Sequence, residues 1–227
     1  MNLLAAGYSG SAWIDWSWVT NHTTEISTRL HEHVALAGLA LLYGLVIAFP
    51  LAVLASRRRR TLAPILSVTG VLYTIPSLAA FAFLLPYTGL SRNTALIPLT
   101  AYSLLILIRN IVSGLDAVPP EVTEAARGMG YSSTRQLLFV ELPLAVPAIV
   151  AGIRIAAVTL IGLVPVAALI GQGGLGALML DGFQRQFRTP ITVAGVLVIA
   201  LAVVTDAALL LVQRLVTPWA RAKVVAS

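Results

Sequence analysis

Residues 34–60 read VALAGLALLYGLVIAFPLAVLASRRRR. Nothing charged occurs from Val34 to Ala55, and then Arg57, Arg58, Arg59 and Arg60 follow without interruption. An apolar run of about 20 residues is long enough to cross the hydrocarbon core of a bilayer as a helix. Arginines beside such a span mark its cytoplasmic end, so the N-terminus is expected outside. A basic run also suits nucleic acid or lipid headgroups, but flanking a span its simpler role is orientation.

The rest of the chain agrees with a membrane setting. Of 227 residues, 58% are hydrophobic and 11% charged, against roughly 25% charged in soluble domains. A soluble globule could not cover its surface with so few charges, and a disordered chain would not carry so much to bury. Five or six spans would occupy the whole length, leaving no room for a soluble catalytic domain of about 100 residues. The net charge of +6 then reports orientation rather than a nucleic-acid partner. Cysteine is absent, which excludes disulfides, thiolate metal sites and cysteine nucleophiles. The first residues lack a basic stretch and run into Trp13, Asp15, Trp16 and Trp18, unlike a cleavable signal peptide.

Working outward, the expected fold class is all-α, a polytopic membrane protein of about five spans, N-out and C-in. Residues 1–33 form an external segment with an interfacial helix at 11–19, where tryptophans favour the headgroup level. The spans fall near 34–55, 63–87, 95–115, 144–170 and 191–212, within a membrane domain over 34–214. Residues 215–227 are a cytoplasmic tail. Whether 164–183 adds a short or re-entrant helix is open. Arg127, Arg135, Arg214, Arg221 and Lys223 fall inside with the arginine run, whereas Arg29, Arg92, Arg185 and Arg188 fall outside.

The cytoplasmic loop 116–143 is the most informative segment. Pro119 and Pro120 end the third span and can open a helix, since proline is tolerated in a first turn. Glu121 and Glu124 suit that helix's N-terminal end. Val122, Ala125, Ala126 and Met129 share one face at i, i+3, i+4 and i+7. Gly128 and Gly130 end the helix. Ser133 and Gln136, at capping-box spacing, start another, which Pro143 is expected to close. Such an amphipathic helix is built to dock a partner.

Glu124-Ala125-Ala126, three residues, Gly130, nine residues, then Val140-x-Leu142-Pro143 resembles the EAA motif of bacterial ABC importer permeases, with Val140 where isoleucine is frequent. The resemblance implies a type I importer-like subunit whose residues 119–131 form the coupling helix. Glu121, Val122, Glu124, Ala125, Ala126, Met129, Gly130, Leu142 and Pro143 would then be the ATPase-coupling residues. It further implies a pair of ATP-binding subunits carrying ATP and Mg, a second permease subunit, identical or paralogous, and an extracytoplasmic solute-binding protein, in a bacterial cell membrane. Tyr73–Ala79, Leu107–Asn110, Ala151–Arg154 and Ala168–Gly176 resemble the osmoprotectant branch, which imports glycine betaine, choline, carnitine or proline betaine. Methionine and other small-solute permeases share parts of this pattern, so an amino-acid importer stays open. A channel or uncoupled carrier would explain the spans but not the loop.

The remaining motifs weigh against chemistry on this chain. Gly171, Gly173 and Gly176 match G-x-G-x-x-G, but a dinucleotide site needs a preceding strand and an acid near position 196, which is Val. Those glycines are expected to bend the backbone or let helices approach. No phosphate-binding P-loop occurs, so ATP must be hydrolysed elsewhere and no cofactor is expected here. His31-Glu32-His33 falls short of a metal site, and no catalytic constellation lies in the spans. Arg154 and Asp206 are the ionisable residues that matter inside the bilayer, at depths of roughly 16 and 12 Å from the cytoplasmic side. Buried charge of opposite sign at similar depth predicts an ion pair between the last two spans. Tyr73, Thr74, Ser77, Tyr102 and Ser103 offer polar and aromatic surface for a solute path, where aromatic faces attract quaternary ammonium groups.

Overall fold

The structure, a computed structural model, describes residues 14–218. The described chain is helical: α1 (Trp16–Asn21), α2 (Thr23–Arg57), α3 (Arg59–Thr74), α4 (Ser77–Thr88), α5 (Arg92–Asp116), α6 (Pro120–Gly128), α7 (Ser133–Gln136), α8 (Leu142–Leu163), α9 (Leu175–Gln184) and α10 (Arg188–Val216). A π turn at Leu137–Glu141 joins α7 to α8, and a 3-10 segment, Val164–Ile170, follows α8. Four stretches are long and apolar enough to cross a membrane: Thr23–Arg57, Arg92–Asp116, Ser133–Ile170 and Arg188–Val216. The bent pair α3 and α4 makes a fifth crossing when taken as one broken span.

In lipid there is no hydrophobic force between helices, so close backbone approach has to hold the bundle. The seam of α2 carries Ala37, Ala40, Gly44, Ala48, Ala52 and Ala55, all buried. It packs on α5, whose buried face includes Leu99, Ser103, Leu107 and Ile111. A Cβ on Gly44 would collide with Ser103 Oγ. α5 in turn packs on α8, where Gly114 approaches Ala145 and Ala148. α10 lies against α8 and α9, and its most apolar window has no buried residue, as expected of a surface left to lipid or another subunit.

Several elements differ from the sequence expectations. α2 begins at Thr23 rather than near residue 34, and its 35 residues reach about 52 Å, so its polar first turns stand clear of a roughly 30 Å core. The short helix expected at 11–19 is α1, capped by Asp15, whose carboxylate accepts from the Ser17 and Trp18 amides. Residues 11–13 and 219–227 lie outside the described residues. The second span is broken at Ile75-Pro76 with a 92° bend. Pro76 drives Ile75 out of the helical region (φ −65°, ψ 126°), as the residue before a proline usually is.

Pro143 does not close the helix that starts at 133. The chain runs on through the π turn, with the Leu142 amide bonding the Leu137 carbonyl five residues back. That widened turn accommodates the ring and missing N–H of Pro143. The segment 164–183 does add structure: the 3-10 stretch, a glycine turn and α9. Gly174 has φ +51°, and a Cβ there would lie 2.7 Å from the His33 Cα, so the turn wedges against α2.

Candidate coupling loop and solute path

The loop helix α6 forms as its residues dictate. Pro119 caps it in extended conformation and Pro120 takes its first position. It ends on the Schellman pattern: the Tyr131 amide bonds the Ala126 carbonyl at 3.1 Å and Gly130 bonds Arg127 at 2.9 Å. Gly130 supplies the positive φ, +80°, which that ending requires. The next helix is capped by Ser132, whose Oγ accepts from the Arg135 amide, rather than by Ser133 as the spacing implied. Tyr131 completes the Schellman turn and leaves Ser132 extended at the cap position.

The amphipathic face does not lie down on the bundle. Ala126 is 1% exposed and anchors α6, whereas Val122 is 37% and Met129 69% exposed. Glu121, Glu124, Ala125 and Gly130 are exposed as well. Leu142 and Pro143 are half-buried, in the run that leads from the loop into the membrane.

A chain of polar contacts that sequence reasoning missed runs behind this face. Arg127 Nε donates to Gln136 Oε1 (3.3 Å), Gln136 Nε2 donates to Glu141 Oε1 (2.6 Å), and Arg57 Nη2 donates to Glu141 Oε2 (2.8 Å). Gln136 is buried, and the Glu141 side chain is only 7% exposed. The legible signal was an acid in the otherwise apolar run Leu137–Leu142, which needs a cation. Arg59 pairs separately with Asp116 at 2.7 Å. Part of the arginine run therefore anchors the loop and the bundle.

The expected solute-path residues divide between two places. Tyr73 and Thr74 are exposed and Ser77 half-buried, all at the α3–α4 break. Tyr102 is buried, its hydroxyl donating to the Ile75 carbonyl at 2.9 Å. That bond satisfies a group which the proline break leaves without a helical donor. The Tyr73 and Tyr102 rings meet edge to face with centroids 6.3 Å apart. Ser103 lies in the α2–α5 seam against Gly44, its hydroxyl turned to the Thr100 carbonyl.

Between α8 and α10, Arg154 Nε and Nη2 donate to Asp206 Oδ1 and Oδ2, each at 2.9 Å. Gln213 accepts from Arg154 and donates to the Pro147 carbonyl. His33 is buried, with Nε2 3.0 Å from the Ile161 carbonyl. Among the described residues no cluster of metal-ligating side chains occurs.

Comparison with known proteins places this architecture. Residues 41–218 match the family of binding-protein-dependent transport system inner membrane components. The chain is 34% identical over 194 residues to the choline transport system permease protein OpuBB of Bacillus subtilis, covering 86% of this chain and 89% of that one. It is 37% identical over 198 residues to the osmoprotectant import permease protein OsmW of Salmonella typhimurium, covering 85% and 92%. Among solved structures, the inward-facing MetNI methionine ABC transporter superposes with a TM-score of 0.71 at 25% identity, over 83% of this chain and 94% of that one. The chain belongs to the binding-protein-dependent transport family of inner-membrane components, the multi-pass permease subunits of ABC importers.

Proposed function

We propose that this permease subunit forms, with a second permease subunit, the path by which an osmoprotectant such as glycine betaine, choline, carnitine or proline betaine enters the cell. ATP is bound with Mg and hydrolysed on a separate pair of ATPase subunits, and this chain supplies neither nucleotide site nor catalytic group. A solute-binding protein outside the membrane delivers the cargo. The observation that carries the reading is α6, a docking helix anchored by Ala126 with Glu121, Val122, Glu124, Ala125 and Met129 turned outward. Differential affinity of ATP and loaded binding protein for the outward-facing state would drive alternating access.

Support for the cargo class comes from the choline and osmoprotectant permeases that the chain resembles over most of its length. The exposed Tyr73 beside the α3–α4 break adds an aromatic face suited to a quaternary ammonium. The likeness to a methionine transporter favours a second reading, an amino-acid cargo. Reconstitution with cognate ATPase and binding protein in vesicles separates them. Uptake of labelled glycine betaine or choline, undiminished by excess methionine, supports the osmoprotectant reading. Uptake of methionine alone overturns it.

A further inference from the structure

The docking helix is joined to its neighbours by two jointed connections. Ala117–Pro119 leads in from α5 through an extended proline, and Gly130 leads out in a left-handed turn. α6 also packs on α7 and the π turn, and there the contacts of Glu141 become specific. One carboxylate oxygen faces the loop, taking the Gln136 amide that in turn holds Arg127 of α6. The other takes the guanidinium of Arg57 in the last turn of α2. Glu141 thus belongs to the helix leading into α8 while its side chain ties α6 to α2, the helix packed along the length of α5.

We propose that Glu141 is the positioning residue that transmits movement of the docking helix to α2, through Gln136 and Arg127 on one side and Arg57 on the other. This rests on the importer reading above. A buried carboxylate is costly and is kept only with its partners in place. The π turn aims it: an extra residue in the turn rotates the side chains that follow, a device frequent at functional sites. Without the Glu141 link, movement of α6 under ATPase closure is no longer carried to α2 through side-chain contacts. The expected result is hydrolysis without transport.

The test uses the complete complex of permease, ATPase and binding protein in lipid nanodiscs for hydrolysis and in vesicles for uptake. Glu141→Gln is expected to keep basal ATP hydrolysis near the wild-type rate. Solute moved per ATP should fall by about tenfold, within the range that coupling residues command. Gln136→Leu cuts the loop side while leaving the Arg57–Glu141 pair, and should lower the same ratio without creating a lone buried charge. The exchange Arg57→Glu with Glu141→Arg should recover part of the ratio, which loss of packing alone would not do. Arg59→Gln, which breaks a pair at the same end of the bundle, should leave the ratio unchanged. A wild-type ratio in both Glu141→Gln and Gln136→Leu overturns the link while the importer reading stands. A wild-type complex whose hydrolysis does not respond to loaded binding protein overturns the importer reading and the link together.

Discussion

Arg154 and Asp206, 52 residues apart in sequence, meet side-on between α8 and α10 through two parallel hydrogen bonds of 2.9 Å. Their side chains are 23% and 40% exposed on the bundle's surface, among residues otherwise apolar, so the pair lies where lipid or another subunit would cover it. A two-pronged guanidinium–carboxylate contact has the strongest geometry available to such charges. Asp206→Ala is expected to lower the thermal midpoint of the purified subunit by stranding the guanidinium. Arg154→Met combined with Asp206→Leu should recover most of that loss. Thermal unfolding in detergent, read as a double-mutant cycle, checks both. Additive single losses would show that the pair contributes no coupling.

Reversing the charge at Glu124 strikes the face that α6 turns outward. Glu124→Lys should insert normally, because the residue is exposed in the loop between spans, yet reduce ATPase co-purification by about tenfold or more. Unchanged association would place the contact on a different part of the loop.

Two glycines of α2 form an internal control. A methyl group at Gly44 meets Ser103, whereas at Gly38 it finds nothing within 4 Å. Gly44→Ala should therefore cost about 1–3 kcal/mol through overpacking. Gly38→Ala should be neutral or stabilising by several tenths of a kcal/mol, since alanine favours the helix. Thermal midpoints of the two variants in the same detergent decide the matter.

The α3–α4 break depends on Pro76 for its formation and on Tyr102 for its repair. Tyr102→Phe leaves the Ile75 carbonyl without its donor and should cost about 1 kcal/mol. Pro76→Ala restores a helical N–H and permits α3 and α4 to align. Spin labels at Val68 and Ala82 should then move apart, and solute uptake should fall while insertion persists. An unchanged distance would mean that packing on α5 imposes the bend by itself.

Ahead of α1, hydrogen bonds from the Ser17 hydroxyl, and then from the Trp18 and Ser17 amides, hold the Asp15 carboxyl below its ordinary range. A depressed folded value means that the cap's contribution is present above the unfolded pKa, about 3.9, and is lost as pH falls through the folded one. The protection factor of the Trp18 amide, its exchange rate taken against the intrinsic rate at the same pH, should fall in acid, and Asp15→Asn should flatten that dependence. A loss of protection of equal size in Asp15→Asn would assign the effect to another group.

The spans were legible because a bilayer imposes one length and one polarity on whatever crosses it, and the Val34–Ala55 run announces both. The Arg154–Asp206 contact was legible for a related reason: charge is so costly in lipid that depth arithmetic alone pairs the two. The helix α6 was readable from its prolines, face and glycines. The elbow at Ile75-Pro76 was not, since beyond Thr74 and Ser77 the runs on both sides are mostly apolar and hydropathy ignores direction. Pro143 misled, because a π turn can absorb a proline that a regular helix cannot. The Arg127–Gln136–Glu141–Arg57 chain was hidden by distance: Arg57 and Glu141 are 84 residues apart, and the arginine run already had an adequate explanation in topology.

The elbow also sets how far the chain can reach. α3 and α4 hold 16 and 12 residues, about 24 and 18 Å of helix. At 92°, two arms inclined equally to the membrane normal project about 29 Å between them, close to the roughly 30 Å hydrocarbon thickness. Opening the joint to about 60° would lengthen that projection to about 36 Å. An unbroken span adapts to the membrane by tilting as a rod, whereas α3 and α4, taken as one broken span, make a folding ruler. Its angle and its height are a single variable, so any swing of the elbow must raise or lower one of its two ends against the headgroups.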